Sequence, residues 1–191
     1  MTQLTGYVVY RNYAAMQHEA AIPVLKEFVK IIQPQRILEI GTAHGGLTMV
    51  LRDALDEAGL NASTLRTFDV QAQPWYDALR SHRIEVCVEN LFSDNYQALV
   101  KPDLVVPFVQ AEGCTLVLCD GGYKVGEFNL LADYLKPGDY IMAHDYIATA
   151  DEFLQHFHGK VWDWHEVSAA DLQEACTRNS LEDVDKEAFA A

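Results

Sequence analysis

Apolar residues fall into two alternating patterns along this chain. Short runs that are apolar at nearly every position, "RILEI" (36–40) and "CTLVLCD" (114–120), read as strands buried on both faces. Longer stretches with apolar positions every three or four residues read as amphipathic helices. The clearest is "GGLTMVLRDALDEAG" (45–59), with Gly59 as its stop. The same spacing predicts further strands at 64–70, 83–89, 140–145 and 160–167. It predicts helices at 13–32, 74–81, 125–135, 150–157 and 169–178. Pro23 marks a break or a new start in the first helix, and Ser168 with Asp171 three residues on opens the last. Residues 93–113 read as one or two helices interrupted near Pro102.

Strands alternating with helices predict an α/β fold, a Rossmann-like, doubly wound and mostly parallel sheet with helices on both faces. Residues 1–191 read as a single domain: an N-terminal helical cap (1–33), a sheet core (34–167), and a C-terminal helix and tail (168–191). Ligands on such sheets bind beyond the carboxyl ends of the strands, so the strand tips are where functional residues are expected.

Composition narrows the partners. No apolar run approaches the roughly 20 residues of a membrane span, and the N-terminus lacks the pattern of a secretory signal. The four cysteines form no CxxC pair, which fits a reduced, cytoplasmic setting. A net charge of −14 without a Lys/Arg cluster disfavours a nucleic acid partner and leaves a small molecule as the expected one.

The first predicted strand runs into "RILEIGTAHGGLT", which offers Glu39, Gly41, Thr42, Ala43, His44, Gly45 and Gly46 to a ligand at a helix N-terminus. The middle glycine of the dinucleotide fingerprint is replaced by Ala43, so a pyrophosphate is not the expected group. Glu39 is either a ligand contact or a support for the loop, and His44 either touches the ligand or is exposed. Asp69, ending the second strand, can accept from ribose hydroxyls or cap its own loop. Asn90 and Phe92 follow the third strand, where Phe92 faces a ligand or the core. Asp120 and Asp145 end the fourth and fifth strands. If those strands are neighbours, the two carboxylates emerge side by side and need a cation or a proton between them. A hard divalent ion suits such oxygen ligands.

The E-x-G-x-x-x-G-G run at 39–46 resembles the first motif of class I S-adenosylmethionine-dependent methyltransferases. Together with "LVLCDGGYKVGEFNLLADYLKPGDYIMAHDY" (116–146) it is similar to the cephalosporin-hydroxylase-like and macrocin-type O-methyltransferase group. The resemblance implies S-adenosylmethionine bound by the glycine loop, Asp69, Asn90, Phe92 and Asp120. It implies a divalent cation, Mg or Mn, on Asp120, His144 and Asp145, and O-methylation of a small-molecule hydroxyl with Asp120 and Lys124 as catalytic residues. Two departures stand out: His144 replaces the acid or amide of relatives, and Lys124 is one residue out of place for a base. Such a base would need a lowered pKa, which a neighbouring metal ion would supply. The alternative is a non-catalytic fold of this type that binds a ligand or a protein.

Tyr7, Tyr10 and Tyr13 are either a lid or N-terminal packing. The methyltransferase sheet normally closes with a reversed pair of strands. Here 160–167 would be the sixth, and only "EAFAA" remains for the seventh. The edge left open would favour a homo-oligomer.

Overall fold

The computed structural model describes residues 8–160 and 163–184. A short antiparallel hairpin, β1 (Val8–Tyr10) and β2 (Tyr13–Ala15), leads into α1 (Ala21–Ile32) and β3 (Arg36–Ile40). Then come α2 (Gly46–Glu57), β4 (Thr64–Asp69), α3 (Tyr76–Ser81), β5 (Ile84–Val88), α4 (Pro102–Gln110) and β6 (Thr115–Cys119). The chain continues through α5 (Lys124–Leu131), a 3₁₀ turn at Ala132–Tyr134 and β7 (Tyr140–Ala143). It finishes with β8 (Tyr146–Ile147), α6 (Ala150–His156), β9 (Val167–Ser168) and α7 (Ala169–Asn179). No helix among the described residues is long and apolar enough to cross a membrane.

Five parallel strands form the central sheet in the order β5-β4-β3-β6-β7. Side chains alternate along each strand, so both faces need cover. Ile37, Leu65, Leu116 and Leu118 pack with α1, α2 and α3 on one face. Leu38, Ile40, Val117 and Cys119 pack with α4, α5 and α7 on the other. Two-sided burial is why β3 and β6 read as unbroken apolar runs.

Three expectations fail, each for a local reason. Residues 13–15 belong to a strand and not to the predicted helix 13–32. Arg11 and Asn12 both take left-handed backbone angles (φ 48° and 72°), giving the two-residue turn that matches the twist of a hairpin. Tyr10 and Tyr13 pack beside the core and do not form a lid. Tyr10 donates to Asp53 Oδ2 on α2 at 2.6 Å, and Arg11 pairs with the same oxygen at 2.7 Å. Tyr7 lies outside the described residues.

Of the strand predicted at 160–167, residues 161–162 lie outside the described residues; the described part is strand only at Val167, in β9, which pairs in parallel with β8 and not with the main sheet. Asp145, at φ 56°, turns the chain off the line of β7. Its carbonyl then accepts from the amides of Glu166 (3.1 Å) and Val167 (3.3 Å). The "EAFAA" stretch lies outside the described residues. Pro102 opens α4 instead of interrupting it, since proline suits the first turn. The Ser168–Asp171 capping box forms as expected.

Gly46 marks the tightest contact between the hairpin and α2. A Cβ there would lie 2.3 Å from Ala14 O and 2.6 Å from Ala15 Cβ. Gly46→Ala is expected to destabilise the fold by about 1–3 kcal/mol through overpacking. The check is the urea midpoint, which falls while the slope stays unchanged.

Candidate active site

At the carboxyl ends of β3, β4 and β6 a cavity of about 280 Å³ opens. Six residues singled out from the sequence line it: Gly41, Ala43, Asp69, Asn90, Phe92 and Asp120. Gly41 (φ +95°) is there because nothing larger fits: a Cβ would meet Asp120 O at 2.2 Å. Ala43 (φ 43°) is held by three neighbours. Its amide donates to Asp69 Oδ2 (2.8 Å), and its carbonyl accepts from Trp75 Nε1 (3.1 Å) and Tyr76 Oη (3.4 Å). Asp69 also accepts from Gln71 N at 3.0 Å. A carboxylate has about four acceptor positions, so capping the loop leaves capacity for a ligand in the cavity. Phe92 is both core and wall, stacked on Tyr96 at 5.1 Å.

The other loop residues do not line this cavity. Thr42 is buried with its hydroxyl 2.7 Å from that of Thr67, while Gly45 and Gly46 are packed underneath. His44 is exposed and stacks on Trp75 at 5.5 Å. Glu39 is wholly buried below the loop. Its Oε2 accepts from Thr48 Oγ1 at 2.6 Å, and Oε1 has no hydrogen-bond partner. Burial pushes its pKa up to about 8, against the smaller lowering by that hydroxyl, so the group is mostly an acid at neutral pH. Glu39 therefore supports the loop from inside.

Glu127 was not expected. It lies one turn into α5, where a sequence reading takes an acid for a solvated helix face. In the structure it is 1% exposed and lines the cavity. It accepts from the amides of Gly121 (3.0 Å) and Tyr123 (3.2 Å), closing the turn after β6. Burial raises its pKa to about 7, because these two hydrogen bonds offset only part of the desolvation. The glycine pair before a helix with an acid six residues on was the signal that could have found it.

Asp120, His144 and Asp145 do come together. His144 Nδ1 lies 3.1 Å from Asp120 Oδ1 and 3.1 Å from Asp145 Oδ1. That atom is fully buried and straddles the two oxygens without a well-aligned hydrogen bond to either, so charge holds the group. Burial alone would lower the imidazole pKa, but the two carboxylates outweigh it and push it up to about 9. Burial, the largest influence, raises the Asp145 pKa, but His144 and Lys124 together outweigh it, so it ends below the usual carboxylate value.

Lys124 is 7% exposed. Its Nζ lies 2.5 Å from Glu166 Oε2, 3.5 Å from Asp145 Oδ2 and 3.9 Å from Asp120 Oδ1. Burial would lower its pKa, yet the acids around it raise it. The base expected at Lys124 requires a lowered pKa, and the acids around it act in the other direction.

The donors also do not fit a divalent cation. Lys124 Nζ and His144 Nδ1 already stand against the two carboxylates on the side where an ion would sit. No group of three or more His, Cys, Asp or Glu among the described residues has the spacing of a metal shell.

A second cavity, of about 430 Å³, opens on the far side of this cluster. Its polar edge includes His144, Asp145, His18 and His165. Its body is apolar, with Met16, Ile147, Phe153, Phe157 and Trp164. Asp120 lines the first cavity, and His144 and Asp145 line the second. The Asp120–His144 contact therefore joins the edges of the two.

No family model and no curated protein sequence matches this chain. Among solved structures, the one described as "cmcI-N160 SAH" matches over 80% of this chain and 70% of that chain, with a TM-score of 0.52 and 14% identity. The likeness shows the fold alone, a Rossmann-like, mostly parallel sheet flanked by helices.

The buried Glu39 acid has a stability signature. Its pKa in the folded chain exceeds the ordinary 4.5, so its contribution is fully present below that value and is lost as pH rises through about 8. Glu39→Gln keeps the shape and has no proton to lose. Urea midpoints at pH 5 and pH 8.5 are expected to fall less for Glu39→Gln than for the parent. His144 and Lys124 contribute equally in both proteins, so equal losses would contradict the assignment.

Proposed function

We propose that this chain is an S-adenosylmethionine-dependent methyltransferase that methylates a small-molecule hydroxyl. The observation that carries the reading is the pair of cavities meeting at Asp120, His144 and Asp145. The cofactor takes the first cavity and the acceptor the second. The neighbour named with SAH, the product left when S-adenosylmethionine gives up its methyl, supports the choice of cofactor.

Asp69 presents its spare acceptor positions to the ribose hydroxyls, as acids at this strand tip do in nucleoside-binding sheets. Phe92 and Tyr96 give the adenine a flat apolar wall, with Asn90 beside it. Gly41 and Gly121 let the backbone approach the amino acid end. When bound, S-adenosylmethionine supplies an electrophilic sulfonium methyl.

In the second cavity Phe153, Phe157 and Trp164 hold the apolar body of the acceptor, and its hydroxyl is directed to the polar edge beside His144. Most of the rate gain then comes from positioning the oxygen in line with the methyl and excluding water. Lys124 and His144 supply the positive charge that balances the carboxylates, the role the resemblance gave to a metal.

Calorimetric titration with S-adenosylmethionine and SAH tests this. Both are expected to bind the parent protein, with or without EDTA. Asp69→Ala is expected to weaken both by roughly 10–100-fold, the loss of one or two charge-assisted hydrogen bonds. An intact parent protein that binds neither compound would overturn the reading.

A further inference from the structure

The first cavity is one-sided in charge. Its wall includes four acids, Asp69, Glu89, Asp120 and Glu127, and none of the residues that line it is Lys, Arg or His. A bound molecule finds partners there for positive charge, and no cationic side chain for negative charge.

Three of the four acids are already engaged. Glu89 pairs with Lys101, just before α4. Asp120 faces His144 Nδ1 at 3.1 Å and Lys124 Nζ at 3.9 Å. Asp69 accepts from the amides of Ala43 and Gln71, and its spare positions go to the ribose. Glu127 differs from all three. It is 1% exposed, and its hydrogen bonds come from two uncharged amides, those of Gly121 and Tyr123. It has no ion-pair partner among the described residues; Lys124, three residues before it, pairs with Asp120, Asp145 and Glu166. Two amides fill about half of the roughly four acceptor positions of a carboxylate. A buried carboxylate is costly unless a cation answers it. The place of Glu127 in the wall is set by Gly121. A Cβ there would lie 2.3 Å from Glu127 Oε1 and 3.0 Å from Ile40 Cγ2, and Ile40 is itself a lining residue. Gly41 adjoins: a Cβ on it would lie 2.9 Å from Gly121 N. Glu127 thus stands behind the two glycines that admit the amino acid end of the cofactor.

We propose that Glu127 is a cofactor-binding residue that receives the α-ammonium of S-adenosylmethionine or SAH, so that the amino acid end is read by its ammonium and not by its carboxylate. This rests on the methyltransferase reading. The ammonium has three N–H donors and no acceptor, and it matches the acceptor positions that the two amides leave on Glu127. The bond is charge-assisted and lies in a wall closed to water, where such bonds are strong. The α-carboxylate meets no cationic side chain in the lining and is left to backbone amides and solvent. Glu127 then has two tasks on one carboxylate: its amide bonds hold the turn after β6, and its remaining positions hold the ligand.

The test is calorimetric and starts with the parent protein. Three ligands are titrated: SAH, its analogue lacking only the α-amino group, and its analogue lacking only the α-carboxylate. Removing the amino group is expected to weaken binding by roughly 10–100-fold, the loss of one charge-assisted hydrogen bond. Removing the carboxylate is expected to cost no more than about threefold, the scale of a solvent-exposed charge. Glu127→Gln, its fold checked by urea unfolding, is expected to bind SAH as weakly as the parent binds the deaminated analogue, and to bind that analogue as the parent does. Should the variant not fold, the ligand series on the parent still decides. A parent that binds SAH and the deaminated analogue equally, or that loses more with the carboxylate than with the amino group, would overturn the proposal. Equal weakening of all three ligands in a folded Glu127→Gln would also overturn it and leave Glu127 as support for the turn alone. A folded parent that binds none of the three would overturn the methyltransferase reading, and the proposal with it.

Discussion

β3 and β6 lie side by side, and the chain leaves them toward opposite faces of the sheet. After β3 it enters α2 on one face; after β6 it enters α5 on the other. The two loops diverge and leave a crevice between them, which is the general origin of ligand sites on sheets of this order. Here the divergence starts from near contact. Asp120 N donates to Ile40 O at 2.9 Å, and Gly41 leaves no room for a side chain against Asp120 O. Every residue of the first cavity depends on that meeting of strand ends. Glu39 below and Glu127 beside it brace the two loops as they separate.

The second constraint is charge. Asp120, Asp145 and Glu166 bring three carboxylates to one place, answered by Lys124 and His144. Each pair at about 4 Å is worth about 4 kcal/mol at an effective dielectric near 20. Desolvating each ion costs several kcal/mol. The terms are comparable, so the cluster holds only as a set. Removing one member leaves a buried charge without an answer. Histidine after β7 sets its ring against both acids and joins Lys124 in facing them.

The sheet was legible because its strands are buried on both faces. β3, β4, β5 and β6 fall within a residue or two of the apolar runs. Legibility failed where local chemistry outweighed periodicity. Asn12 tolerates a left-handed turn, so Tyr13–Ala15 pairs as a strand although the stretch also reads as helix. Asp145 diverts the chain, so Val167 pairs with Tyr146 in a separate two-stranded ladder and not with the main sheet. Of the site residues, those on the strand tips were visible: Gly41, Asp69, Asn90, Phe92, Asp120 and Asp145. Glu127 and Glu166 were not, because an acid on a helix or in a coil has no pattern until its neighbours are known. The direction of the Lys124 shift was hidden for the same reason, since Glu166 lies 42 residues away in sequence.

The two cavities draw on different stretches of chain. The first is made from residues between Ile40 and Glu127, all tied to the sheet. The second is made from residues 16–21, between β2 and α1, and from residues after β7, of which the stretch near His165 is held by the Asp145 carbonyl and the Lys124–Glu166 pair. Such a division separates what a lineage must keep from what it is free to change. The outer stretch can be exchanged wholesale, lengthened or recut around a new molecule, provided Asp145 keeps its turn and an acid still reaches Lys124. Diversification of this scaffold would then appear as a patchwork, with one half of the chain slow to change and the other fast, and the seam between them at a single aspartate.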